Sequence, residues 1–119
     1  MAEQAADILT ELRDLVRAFV QERDWDQFHT PKNLAVSLSV EAAELLEPFQ
    51  WLATGEDLAP AKLEQVRHEI ADVLVYLIRL ADKLDVNLAE AVRDKLEHNR
   101  GKYPPDKVRG DARKYDEYE

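Results

Sequence analysis

Apolar residues recur every three or four positions along most of this chain. In two of the resulting stripes a pair of carboxylates stands where core residues belong. The pairs are Glu41-x-x-Glu44, inside Val36–Leu46, and Glu69-x-x-Asp72, inside Val66–Leu80. Residues three apart on a helix share a face, about one turn apart, so each pair presents two carboxylates side by side. Taking a carboxylate out of water is expensive unless it is paired or bound to a metal. Four of them against apolar walls point to a site for a hard divalent cation.

Acidic pairs alone carry little weight in a chain with 25 Asp+Glu against 16 Lys+Arg. Glu11-x-x-Asp14 has the same spacing, and angular position at about 100° per residue separates it from the others. Leu12, Leu15, Val16 and Phe19 share one stripe; Glu11 sits at its edge and Asp14 points away, as on a solvated face. By contrast, Leu34, Leu38 and Leu45 fall within about 60° of Glu41, with Glu44 about 60° to the other side. Val66, Val73, Leu77 and Leu80 crowd Glu69, and Asp72 and Tyr76 flank it. These four acids face inward or border the core.

Only three glycines and no run of alternating β-branched residues predict an all-α chain. At 119 residues it is expected to form a single domain, 1–119, with a helical core over about 5–104 and a polar, extended tail over about 105–119. The first helix is predicted over Ala5–Arg23, followed by a polar-aromatic loop, Asp24-Trp25-Asp26-Gln27-Phe28-His29. Thr30 reads as an N-cap with Pro31 at the first helical position, opening a second helix that Pro48 disrupts after Glu47. A third helix is predicted over Ala61–Leu84. Asn87, with Glu90 three residues on, starts a fourth that Gly101 stops after Arg100.

All-oxygen ligation suits Mg²⁺, with Mn²⁺ as a substitute, and disfavours zinc or copper. Di-iron bundles use Glu-x-x-His, whereas the fourth position here is Glu44 or Asp72; His68 projects about 100° away from Glu69, toward a rim. Glu47 extends the first spacing, but at the helix end it reads equally as a surface acid. Cations that could face phosphate are Lys95 and Lys102, with Asn99 between them at helical spacing, and Arg79 and Lys83 beyond Tyr76. A solvated basic stripe is an equal reading of these residues. Trp25, Phe28, His29 and Trp51 lie at polar loops, where aromatics either stack on a base or cover a small core. A net charge of −9 argues against binding a nucleic-acid polymer. No apolar run approaches a membrane span and there is no cysteine, which fits a reducing cytoplasm. No P-loop, Gly-x-Ser-x-Gly elbow or zinc signature competes.

Taken in order, the blocks Trp25…Phe28-His29-x-Pro31-Lys32-Asn33-Leu34, Glu41-Ala42-Ala43-Glu44-Leu45…Phe49-Gln50-Trp51, Glu69-Ile70-Ala71-Asp72-Val73 and Asn99…Lys102-Tyr103-Pro104 resemble the MazG-like, all-α nucleoside triphosphate pyrophosphohydrolases. Within them the chain looks like the short single-domain branch that includes dCTP pyrophosphatase. The resemblance implies a four-helix fold completed by dimerisation, as a homodimer or a dimer-of-dimers tetramer. It implies Mg-dependent hydrolysis of a nucleoside triphosphate, dCTP-like or a modified pyrimidine, to monophosphate and pyrophosphate. By the same resemblance Glu41, Glu44, Glu69 and Asp72 ligate Mg²⁺, and Glu41 or Glu44 acts as base. Tyr76, Lys95, Asn99 and Lys102 hold sugar or phosphates, while Trp25, His29 and Trp51, with Phe28 beside them, form the base pocket. Broad (d)NTP or dUTP cleavage, and a metal-stabilised helical interaction module without turnover, are the rival readings.

Overall fold

The computed structural model describes residues 7–113 and 116–117. Ala5, the expected start of the first helix, and parts of the tail lie outside the described residues. The described residues are helical, with no strand. Chain contacts divide the molecule into two compact units, Met1–Val86 and Asn87–Glu119.

The first unit holds three helices, α1 (Ile8–Glu22), α2 (Pro31–Leu46) and α3 (Leu63–Lys83). Asp7 caps α1 by accepting the Leu9 amide at 3.1 Å. Thr30 caps α2 by accepting the Asn33 amide at 3.2 Å, with Pro31 at the first helical position as expected. The expected break at Pro48 falls inside a 3₁₀ turn, Glu47–Phe49, and another such turn, Pro60–Lys62, leads into α3. Helices α1 and α3 end in the same way. The amides of Trp25 and Val86 reach back to the carbonyls of Val20 and Ala81, while Asp24 and Asp85 take positive φ of 54° and 56°. That is a Schellman ending with aspartate in the left-handed position, which a short polar side chain tolerates better than most.

Helix α3 is the centre of this unit, since both α1 and α2 pack on it. The buried apolar side chains are Val20 from α1, Leu34 from α2, and Val66, Ile78 and Ala81 from α3. Leu34 is sealed at 1 % exposure. Leu15 and Phe19, expected on the core stripe of α1, are instead 61 % and 48 % exposed.

The second unit holds α4 (Leu88–Lys102) and a one-turn helix α5 (Pro105–Val108). Asn87 caps α4 through its side chain, which accepts the Glu90 amide at 2.9 Å. Gly101 does not stop α4, because it lies within the helix and carries no positive φ. The helix ends where Tyr103 leaves helical geometry ahead of Pro104 and Pro105. The tail is not uniformly extended either: Pro105 suits a first helical position and opens α5.

Candidate functional site

The two acidic motifs meet where α2 packs on α3. One carboxylate oxygen from each of Glu41, Glu69 and Asp72 lies within 4.8 Å of the others. Glu41, Glu44 and Glu69 are half-buried and Asp72 is exposed. One oxygen of Glu41 and one of Glu69, both Oε2, are buried without a hydrogen-bond partner. A buried acceptor left unpaired costs free energy, and gathered like charges add to the cost. Both effects register in the ionisation of the site. Burial, then a hydrogen bond shared with Glu44, then the charges of Glu44, Asp72 and Glu69 push Glu41 up to about 7. Burial first, and then the charges of Glu44 and Asp72, also raise Glu69. Glu44 stands outside the close triad, yet its charge acts on both of the others. Unpartnered, all-oxygen, negatively charged and convergent, this donor set fits a hard divalent cation.

The decoy pair behaves as a solvated face. Glu11 and Asp14 are exposed, and Asp14 pairs with Arg13 at 3.0 Å. His68, 71 % exposed on its side chain, pairs with Glu64 away from the acids.

Asp72 also lines a cleft of about 440 Å³, together with Tyr76, Val75 and Arg79 of α3, Trp25 and His29 of the loop, and apolar residues of α1. The α1 wall is Leu15, Val16, Phe19 and Val20. The Phe19 ring meets Trp25 edge-on, with centroids 5.8 Å apart, and the Arg23 guanidinium lies 3.7 Å from its centroid. The cleft therefore has an aromatic and aliphatic side, polar groups in Tyr76 and His29, and a carboxylate that belongs to the acid cluster. That composition suits a flat, largely apolar ring at one side and a cation held by the carboxylate at the other.

Arg79 holds the loop against α3. It is 6 % exposed and donates to Asp82 at 3.2 Å, to His29 at 3.1 Å and to Asp26. Lys83 adds a bond to Asp26 at 2.8 Å, and Arg17 of α1 grips Asp82 through two bonds of 2.6 and 2.8 Å. Arg79 and Lys83 are thus committed to carboxylates of this unit instead of facing phosphate. On the other side of the loop, Asn33 donates to the Phe28 carbonyl at 3.1 Å.

Of the aromatics singled out in the sequence, the structure brings Trp25 and His29 to the cleft and leaves Phe28 and Trp51 off its lining. Phe28 is 60 % exposed and Trp51 is 87 % exposed, standing in the connector after α2. Lys95, Asn99 and Lys102 share one face of α4 in the second unit. Sequence reasoning missed the α1 wall and the role of Arg79. Two signals were available: an α1 stripe richer in large apolar residues than so small a core can bury, and Asp72, Tyr76 and Arg79 at positions i, i+4 and i+7 of one helix face.

An acid cluster on two packed helices, opening into an aromatic cleft, defines a class, and the chain belongs to the MazG-like family, whose sequence model matches residues 36–118. It is similar to dCTP pyrophosphatase 1 of Homo sapiens, with 42% identity over 113 residues, 92% of this chain and 66% of that protein. Against dCTP pyrophosphatase 1 of Rattus norvegicus the identity is 41% over 111 residues, 90% of this chain and 65% of that protein. The chain thus spans a little under two thirds of these relatives' length. Among solved structures, a pyrophosphatase from Archaeoglobus fulgidus is similar at a TM-score of 0.78 and 46% identity, covering 82% of this chain and 94% of that one.

Proposed function

We propose that this protein is a nucleoside triphosphate pyrophosphohydrolase, cleaving its substrate to the nucleoside monophosphate and pyrophosphate. One observation carries the reading: Asp72 belongs both to the convergent acid cluster and to the aromatic cleft. A molecule lying in the cleft with its base against Trp25 and His29 would present its phosphates to the carboxylates. Four carboxylates facing a polyanion make no sense alone, so the reading requires a cation between them.

Glu41, Glu44, Glu69 and Asp72 would hold Mg²⁺, or Mn²⁺ in its place. Such an ion, when bound, neutralises phosphate oxygens and polarises water. The protein's own side chains do the rest. Trp25, with the α1 wall beside it, excludes water from the base, and Tyr76 orients the sugar. A water oxygen attacks the α-phosphorus, the bond to the bridging oxygen breaks, and pyrophosphate leaves. Glu41 or Glu44 takes the proton of that water. Lys95, Asn99 and Lys102 remain our proposed phosphate ligands, and Phe28 and Trp51 our proposed outer members of the base pocket.

The similarity to dCTP pyrophosphatases supports dCTP or a modified pyrimidine triphosphate as preferred substrate. We read the two units as one catalytic domain, since the family match runs through both. We further propose a homodimer or a tetramer of two dimers acting in the cytoplasm, with the second copy closing the site. Among the described residues no helix is long and apolar enough to cross a membrane.

A panel of ordinary and modified nucleoside triphosphates, incubated with Mg²⁺, tests the proposal when both products are identified. Monophosphate and pyrophosphate in equal amounts are expected, with dCTP or a 5-modified analogue cleaved best. Orthophosphate release would reject attack at the α-phosphorus. Raised melting temperature with Mg²⁺ and no turnover of any nucleotide would favour the interaction-module reading.

A further inference from the structure

Every nitrogen of the Arg79 guanidinium is engaged within the first unit. Nη1 donates to Asp82 at 3.2 Å and Nη2 donates to Asp26, which also receives Lys83 at 2.8 Å. The third, Nε, donates to Nδ1 of His29 at 3.1 Å, and the side chain is buried while doing so. A guanidinium does not lose its proton in a protein, so the direction of that bond is settled. Nδ1 of His29 has to be the acceptor and has to be bare. A neutral imidazole carries its one proton on the other nitrogen. His29 lines the cleft, and Nε2 is the only remaining polar atom of its ring. Any polar contact it makes with a ligand is then a donated N–H.

We propose that Arg79 is a positioning residue that fixes His29 as the Nε2–H tautomer, so that the cleft offers a bound base one N–H donor. The ligand class that suits it is a heterocycle with a ring carbonyl or an unprotonated ring nitrogen at that edge. Identifying the ligand as a nucleotide rests on the function proposed above; the tautomer does not. The charges that act on the ring are those of Arg79, Asp26 and Lys83, and Asp72 lines the same cleft. Burial, followed by the charge of Arg79, holds His29 below its ordinary value, with Asp26 opposing and Lys83 assisting. The neutral ring is therefore favoured. An unconstrained imidazole can swap donor for acceptor and admit either kind of edge. A fixed donor leaves two N–H groups opposed when the wrong edge is presented, which is how a buried polar contact discriminates.

The test uses the full chain with ¹⁵N-labelled histidine, recorded by long-range ¹⁵N–¹H correlation near pH ~7. The chain has three histidines, and His29 is the one whose signals vanish in His29→Gln. A protonated Nε2 with a bare Nδ1 is expected, collapsing to a tautomer average in Arg79→Met. Because the freed ring still reaches the Nε2–H form, that variant should raise KM for the matching nucleoside triphosphate by only about twofold, while the preference over a nucleotide that presents an N–H at that edge shrinks by about fivefold to tenfold, with kcat nearly unchanged. If Arg79→Met does not fold, His29→Gln and His29→Asn decide the matter. The glutamine amide nitrogen takes the place of Nε2 and that of asparagine takes the place of Nδ1, so KM should rise less, by about fivefold, in the glutamine variant than in the asparagine variant. A resting Nδ1–H tautomer, an imidazolium, or asparagine performing as well as glutamine would overturn the proposal. Absence of hydrolysis would instead defeat the functional reading, and the tautomer spectrum, which needs no turnover, would still decide whether Arg79 fixes the ring.

Discussion

Carboxylates in this protein are held in two opposite electrostatic settings. Glu41 and Glu69 sit among like charges with one oxygen each buried and unpartnered, so their protons are held tightly. Asp82 sits between Arg17 and Arg79, and the hydrogen bond from Arg17, with the two positive charges, keeps its carboxyl below the ordinary range. The pH dependences have opposite signs. Glu41 titrates at about 7 when folded against an ordinary 4.5. Its contribution to stability is complete below about 4.5 and is lost as pH rises through about 7. Asp82 contributes above its ordinary 3.8, and its contribution is lost as pH falls through its lower folded value. The metal-free protein is therefore expected to melt at a lower temperature at about pH 8 than at about pH 5. Saturating Mg²⁺ should remove that decline, because the cation takes the place of the protons. Melting curves in EDTA and in Mg²⁺ check this, and a flat metal-free profile would count against the acid cluster. At the same scale, Glu69→Ala or Asp72→Ala should lower kcat/KM by roughly two orders of magnitude or more with helix content intact. Hydrolysis that survives either change would place the chemistry elsewhere.

At the scale of helices and turns, the capping residues behaved as their chemistry demands. Thr30, Asn87 and Asp7 each accept an amide that the helix cannot satisfy itself. Thr30→Ala is expected to cost about 1 kcal/mol, measured by chemical denaturation. Gly101 is the informative exception. A glycine stop would need the left-handed conformation, and alanine there would destabilise. In this structure Gly101 lies inside α4 with open space around its missing Cβ. Gly101→Ala should therefore stabilise the protein by roughly 0.5–1 kcal/mol, and a loss of stability would restore the role of helix stop. Left-handed geometry is taken instead by Asp24 after α1 and Asp85 after α3, and by Gly110 just past the cap of the short α5. The context of the two aspartates is not distinctive, because aspartate is abundant throughout this chain.

Many large apolar side chains among the described residues are exposed. Leu63, Ile70, Leu77 and Leu84 recur every seven residues along and just beyond α3 and are all exposed, as are Val36 and Val40 on α2. Contiguous apolar faces of this kind commonly mark association surfaces. The proposed dimer or tetramer predicts a sedimentation mass of two or four chains at micromolar concentration. A monomer at every concentration tested would leave these faces unexplained and the site open.

The helical periodicity, the N-caps at Thr30 and Asn87 and the half-buried placement of Glu41, Glu44 and Glu69 were legible because each depends on residues close together along the chain, whereas Asp72 of the same motif is exposed. Angle on a helix is a local quantity, and it separated these acids from Glu11 and Asp14 before any packing was considered. Other features depended on which helix lies against which. Leu15 and Phe19 read as core until α1 came to wall the cleft, and Arg79 read as a free cation until Asp26, His29 and Asp82 surrounded it. Phe28 and Trp51 are exposed and lie off the cleft lining, Phe28 although Trp25 and His29 of the same loop line it, which no spacing rule could show. The chain by itself determined that four carboxylates fall on or beside the apolar stripes of two helices, since angular position follows from period. Tertiary structure alone decided what faces them, because contacts between distant segments are set by packing and not by spacing.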